Sequence, residues 1–405
     1  MGKPMKKIRM FFRAYAVLVA AVTGLQVHSA FAASYSLVFE KSFHPGDPVS
    51  TLRGSSLAKT GHGKYLLAGT NLRGRPFVVK VSAEGRKEWE QVITDVGETQ
   101  GDYTAVGDEN GGTLLIGNSQ DAGYAIRLGH DGEVLWKKSY PTMGQIRARG
   151  SFVCGAHIKG GFIVVGRNTA GVDANGMVGY HQLWVLKLND HGDRDWETGI
   201  LEDGPDKINP SLLRPRECST PIVDAEGNIA FAVSVQDHRG LVIILVLKLD
   251  ASGKEIARLH LDGGITPRLF STSFGYVLLD NFNLEKKIGL RQTFVDQNMK
   301  ILSQREILGS EDFNFSGVSA AWKDQRNGIH VAGGAISRKS ETFGMALAYL
   351  NPEGNLVGLK TSDFGTLWQP IGMVQGDLAN EVVLLIQSNK DLKLMKLRLV
   401  LEANR

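Results

Sequence analysis

One unit recurs along this chain, and its recurrence constrains the architecture more than any other feature. A short apolar strand leads into a loop. A second strand follows, ending in a Lys-Leu-Asp-like run, then a glycine turn and a third strand. The clearest copies run from Tyr65 to Ile93 (YLLAGTNLRGRPFVVKVSAEGRKEWEQVI), Thr113 to Tyr140 and Phe162 to Ile200; weaker ones begin at Ile229, Tyr276, Ile329 and Glu381. The start-to-start spacings are 48, 49, 67, 47, 53 and 52 residues. The turn repeats with the unit, at Glu84-Gly85, Asp131-Gly132, His191-Gly192, Ser252-Gly253 and Glu353-Gly354, with Asn298 in the matching place of one further copy. Glycine and asparagine tolerate the positive φ that a tight hairpin turn needs. Three copies share Gly-x-x-x-Trp, at Trp89, Trp136 and Trp196. A large indole at a fixed place in a repeat is expected to pack between adjacent units.

Runs such as Phe77-Val78-Val79 and Val242-Ile243-Ile244-Leu245 read as strands buried on both faces. Upstream of each copy lies one more short segment, such as Ser55 to Thr60 or Ser151 to His157. Four strands per unit of roughly 50 residues, repeated seven times, predict an all-β fold, a seven-bladed β-propeller of four-stranded antiparallel blades. The last copy lacks room for its fourth strand. Tyr35 to Phe43 (YSLVFEKSF) resembles the outer strand Glu133 to Tyr140 (EVLWKKSY), so the N-terminal strand is expected to complete the last blade and hide two sheet edges. Residues 33–405 then form a single domain. The units resemble the repeat of secreted bacterial β-propeller proteins. Tyr65-Leu66-Leu67-Ala68-Gly69 and Trp184-Val185-Leu186-Lys187-Leu188-Asn189 carry the likeness best. It implies architecture and not activity, because propellers host unrelated functions.

Residues 1–32 read as a signal peptide. Lys3, Lys6, Lys7, Arg9 and Arg13 precede the apolar stretch Ala14 to Leu25, and Ala30-Phe31-Ala32 offers small residues for cleavage after Ala32. A periplasmic or secreted protein follows, with no later stretch apolar enough to span a membrane. Losing those five basic residues takes the formal net charge from +4 to −1, so charge gives no reason to expect nucleic acid. Export permits a disulfide between the two cysteines, Cys154 and Cys218. Their offsets within neighbouring units differ by about three residues, which leaves open whether the Cα atoms come within bonding reach. The alternative is two small buried side chains.

Chemical motifs are sparse. There is no His-Glu-x-x-His, phosphate loop or nucleophile elbow. Thr361 to Trp368 only partly matches a sialidase-type Asp box, and Asp190 to Asp195 lacks the ligand spacing of a calcium loop. Three repeated tryptophans are too few for a quinoprotein, so neither metal nor cofactor is expected. His157, His181 and His238 are scattered.

Loops between blades and between second and third strands should share one face. Arg53, Arg147, Arg149, Arg214, Arg216 and Arg268 fall just before innermost strands, and Arg73, Arg75, Arg167, Arg239, Lys286, Lys287, Arg338 and Lys339 in the other loops of that face. Acids such as Asp203, Asp206, Glu217 and Asp262 are interspersed. The third copy has the two longest loops, Asn168 to His181 and Leu201 to Glu217. The expected ligand-binding residues of this face are Arg53, Arg149, Arg167, Tyr180, His181, Arg214, Arg216 and Arg268, because guanidinium groups bind carboxylate or phosphate bidentately, and a specific site is expected between blades 3 and 4, near Tyr180, His181, Arg149, Arg214 and Arg216. The leading expectation is a monomeric, non-enzymatic binding or scaffold protein for a protein partner or an anionic ligand. The alternative is a hydrolase or lyase acting on an acidic glycan or similar anionic substrate at the channel mouth.

Overall fold

Apolar residues crowd the middle two strands of each unit, and this decides which strands are buried. In the first unit Lys64–Thr70 and Pro76–Val81 are buried almost throughout, whereas the outer strand Lys87–Val92 is mostly exposed. A computed structural model describes residues 32–43, 53–70, 74–94, 103–119, 122–141, 150–172, 178–200, 214–236, 242–284, 287–308, 313–337, 343–362, 369–387 and 392–402. The leader expected at 1–32 lies almost wholly outside them.

The described strands form seven antiparallel sheets, six of them following chain order from the inner to the outer strand. Blade 1 spans Arg53–Val92, blade 2 Thr104–Tyr140, blade 3 Gly150–Ile200 and blade 4 Arg214–Asp262. Blades 5 and 6 span Gly264–Ile307 and Phe313–Ser362. Blade 7 consists of Gln369–Gln375, Glu381–Gln387, Leu392–Glu402 and, outermost, the N-terminal strand Ala32–Phe43. This is a seven-bladed propeller closed by its own N-terminal segment. Blade 4 departs from four strands, because its inner strand is broken into Arg214–Cys218 and Ile222–Val223, both paired with Ile229–Gln236.

Among the described residues there is no central core. The buried apolar residues form seven clusters, each lying between two adjacent blades. The closing strand enters two of them. Tyr35 belongs to the cluster between blades 6 and 7, and Phe43 to the one between blades 7 and 1. Val38 bulges out of its register with Leu392–Glu402, a distortion that discourages further strands from pairing on this edge.

The repeated tryptophans each pack on the glycine turn of the following blade. Trp89 covers Gly132, Trp136 covers Gly192 and Trp196 covers Gly253. In the closing strand Phe39 takes the same position and covers Gly85 of blade 1. Gly192 has φ 75° and a Cβ there would stand 2.7 Å from the Trp136 ring, so both the turn and the close approach require glycine. The turn near Asn298 differs from expectation. The left-handed residue is Met299, at φ 63°, not Asn298. Its side chain is buried in the cluster between blades 4 and 5, which offsets roughly 1 kcal/mol or more of backbone strain.

Two outcomes test this arrangement. Trp136→Ala should cost about 3 kcal/mol in urea unfolding, from lost packing over Gly192. Deleting Ser34 to Phe43 should lower the melting temperature of the whole ring in one transition, by more than ~5 °C. A deletion variant that melts like the parent would contradict the closure.

Candidate functional site

Consecutive antiparallel strands place two kinds of connection on opposite faces. The turns between third and outer strands lie on one face, the turn face. The connections between blades, and between second and third strands, lie on the other. Arg149, the stretch 201–213 and His238, expected from the sequence on this second, loop-bearing face or near it, lie outside the described residues. At Arg53, Tyr180, His181, Arg214 and Arg216 the backbone alone is described.

Arg53 opens the inner strand of blade 1, opposite Thr70, and Arg214 opens that of blade 4, opposite Gln236. Arg216 sits at a register shift between Pro215 and Glu217. Blades 3, 4 and 5 are neighbours, so the backbones of Arg167, Arg214 and Arg268 fall on one arc of the ring, and Arg53 falls on another. Arg167 is half-buried and its Nε donates to Ser151 Oγ at 3.1 Å. The Arg268 guanidinium donates to Pro267 O and, across the interface, to Ser319 O of blade 6. Arg268 thus stitches two inner strands and has two of its donors committed to backbone.

The segment Asn168 to His181, expected to be a loop, is mostly a hairpin. The second strand continues to Val172 and the third begins at Val178, with Thr169 opposite His181 and Ala170 opposite Tyr180. Glycine and asparagine made the stretch read as irregular, while Thr169, Val172, Val178 and Tyr180 favour extended backbone. Pairing of the inner strand ends at Asn168 and of the outer strand at Leu183, so the hairpin runs on as two strands beyond the sheet.

Cys154 and Cys218 are joined in a disulfide with Cα atoms 5.8 Å apart, linking the inner strands of blades 3 and 4. Cys154 pairs with Val165 and Cys218 with Val233. The offset in sequence is absorbed by a longer turn, an extra residue where blade 4's inner strand breaks, and one step of register.

Several polar groups inside the ring gave no recognisable signal in the sequence. His330 of blade 6 is fully buried. Its Nδ1 lies 2.9 Å from the hydroxyl of Tyr35, which donates to Ala348 O at 3.1 Å. Its Nε2 lies 3.6 Å from Asp324 Oδ2, and Tyr349 donates to that carboxylate at 3.0 Å. Trp322 stacks on the imidazole. Burial holds His330 below the usual histidine range, with Asp324 opposing. Burial alone would raise Asp324, but the facing His330 and hydrogen bonds from Tyr349 and the Gly328 N–H hold it below the usual carboxylate range. In blade 5, Asp280 and Arg291 form a buried bidentate pair at 3.0 and 2.7 Å. Burial outweighs Arg291 there and raises the Asp280 carboxyl. These groups fix strands to one another. Among the described residues no group of His, Cys, Asp and Glu could hold a metal ion, and no helix is long and apolar enough to cross a membrane.

With this geometry in hand, the chain is placed by architecture. No protein-family model matches it. No curated protein matches it either. Among solved structures it is similar to Chaetomium thermophilum Raptor, with TM-score 0.52 and 10% identity over 88% of this chain and 30% of that one. A protein of unknown function from Bacteroides caccae aligns at TM-score 0.44 and 15% identity, over 74% and 94% of the two chains. The chain spans under a third of Raptor's length, and the likeness shows a shared fold.

Two measurements follow. Cys154→Ser/Cys218→Ser should cost about 2–4 kcal/mol in urea unfolding; an unchanged midpoint would argue against the bond. A histidine held neutral by the fold stabilises above its unfolded pKa, near 6.5, and that contribution is lost as pH falls through its lowered folded value. The melting temperature should therefore drop between about pH 7 and pH 5, and His330→Gln should flatten that dependence.

Proposed function

We propose that this chain is an exported, non-catalytic propeller that binds an anionic ligand, free or on a partner protein, across the mouth between blades 3 and 4. The observation that carries this reading is the blade 3 hairpin, which projects past its sheet on the loop-bearing face beside the covalently joined inner strands of blades 3 and 4. A projecting arm on a rigid scaffold offers binding surface without disturbing the core. Arg149, Arg214 and Arg216 flank it in sequence and supply cationic forks suited to carboxylate or phosphate. The leader sequence and the disulfide both suit an oxidising compartment.

Titration of the chain lacking residues 1–32 with polygalacturonate tests the site. Arg149→Ala/Arg216→Ala should weaken binding at least about tenfold, the loss of two charge-assisted contacts, while the melting temperature stays unchanged. Unchanged affinity would sink the proposal. Shortening of the polymer during the titration would instead favour the hydrolase or lyase reading.

A further inference from the structure

We infer that docking of the N-terminal strand shields the Ala32–Ala33 peptide bond, so that removal of the leader precedes closure of the ring. The inference rests on the export reading proposed above. Cleavage adds water across one amide, leaving a carboxylate on Ala32 and an ammonium on Ala33. A peptidase takes several residues on each side of that amide into its cleft as a free, extended segment, which is why cutting concentrates in exposed, unpaired chain. In the closed ring this bond is not free. Ala32 stands opposite Glu402, Ala33 opposite Leu401 and Ser34 opposite Val400 in an antiparallel ladder.

The ladder is anchored close to the bond on both strands. Tyr35, two residues beyond Ala33, is 4% exposed and its hydroxyl bonds Ala348 O and His330 in blade 6. On the partner strand, the Leu399 N–H donates to Asn380 O at 2.8 Å and Asn380 Nδ2 donates to Leu399 O at 3.0 Å. Neither end can peel without breaking contacts to a second element. Exposing the bond from the closed state therefore requires Tyr35 to leave its buried site, a local opening that rations access. Ala32, opposite Glu402 at the end of the third strand of blade 7, stands at the turn face of the ring.

The test uses the full 405-residue chain and purified bacterial signal peptidase in detergent micelles. Chain held unfolded in urea and diluted directly into peptidase should be cut, with Ala33 as the new N-terminus. Failure of that cut would overturn the export reading, and this inference with it. Chain folded before addition, with folding confirmed by tryptophan fluorescence, should be cut at least about tenfold more slowly, since only the opened fraction reacts. Equal rates for folded and unfolded chain would overturn the inference while leaving the export reading intact. A third chain carries a Gly/Ser insertion of about six residues between Ala33 and Ser34, which moves the bond off the ladder without altering the clasp. Once folded, it should be cut as fast as the unfolded parent. If it resists like the folded parent, the pairing is not what shields the bond and the inference fails.

Discussion

In five of the seven blades a backbone carbonyl in the turn between the third and outer strands accepts a donor from the preceding blade, and most of the ring is organised around that contact. Trp136 Nε1 donates to Asp190 O at 3.0 Å, and Trp196 Nε1 to Ala251 O at 3.1 Å. Lysine does the same work elsewhere. Lys80 Nζ reaches His130 O, and Lys396 Nζ reaches Ala83 O at 2.7 Å. Arg305 serves the turn of blade 6 through Glu353 O. These carbonyls receive donors, and Phe39, Trp89, Trp136 and Trp196 each lay a ring over the turn glycine of blades 1, 2, 3 and 4, whereas in blade 6 the Gln292 amide packs on Gly354. Lys396 also lies 5.5 Å from the Phe39 ring and 5.7 Å from the Tyr65 ring, so the interface that closes the ring repeats the arrangement used inside it. Because every apolar cluster is shared by two blades, no blade can shed its neighbour without exposing its own buried face.

Much of this was legible in the sequence because the determinants recur. Gly-x-x-x-Trp announced the indole-on-glycine contact, and the match between YSLVFEKSF and EVLWKKSY located the closing strand, with Phe39 in the tryptophan position. The Lys-Leu-Asp run was visible too, but its meaning was not. Lys80 and Lys248 reach the next blade, Lys187 pairs with Asp195 of its own, and the Asp or Asn accepts turn N–H groups, as Asp250 does from Ser252 and Lys254. Non-recurring features were illegible. Nothing near His330 signals that Tyr35, 295 positions away, is the hydrogen-bond partner of its Nδ1. Asn168 to His181 read as a loop because composition cannot show where strand pairing continues.

The candidate site was legible only as a location. Sequence spacing marked blade 3 as unusual, and the structure turns that length into a paired arm beside a covalent stitch. It also commits Arg268 to backbone carbonyls, which a list of basic residues cannot reveal. In a ring of seven, the junction of blades 3 and 4 lies across the axis from blade 7. The covalent link and the non-covalent clasp thus hold opposite sides, leaving the loop-bearing mouth between two fixed points.

The central claim is that the N-terminal strand closes blade 7 in one defined register, and engineered cross-linking measures this directly. Ser36 and Arg398 are register partners. Ser36→Cys/Arg398→Cys should oxidise to an intramolecular cross-link, seen as a mobility shift on a non-reducing gel. Ser36→Cys/Glu402→Cys, displaced along the ladder beyond bonding distance, should not. Failure of the first pair, or equal cross-linking of both, would contradict the closed ring described here.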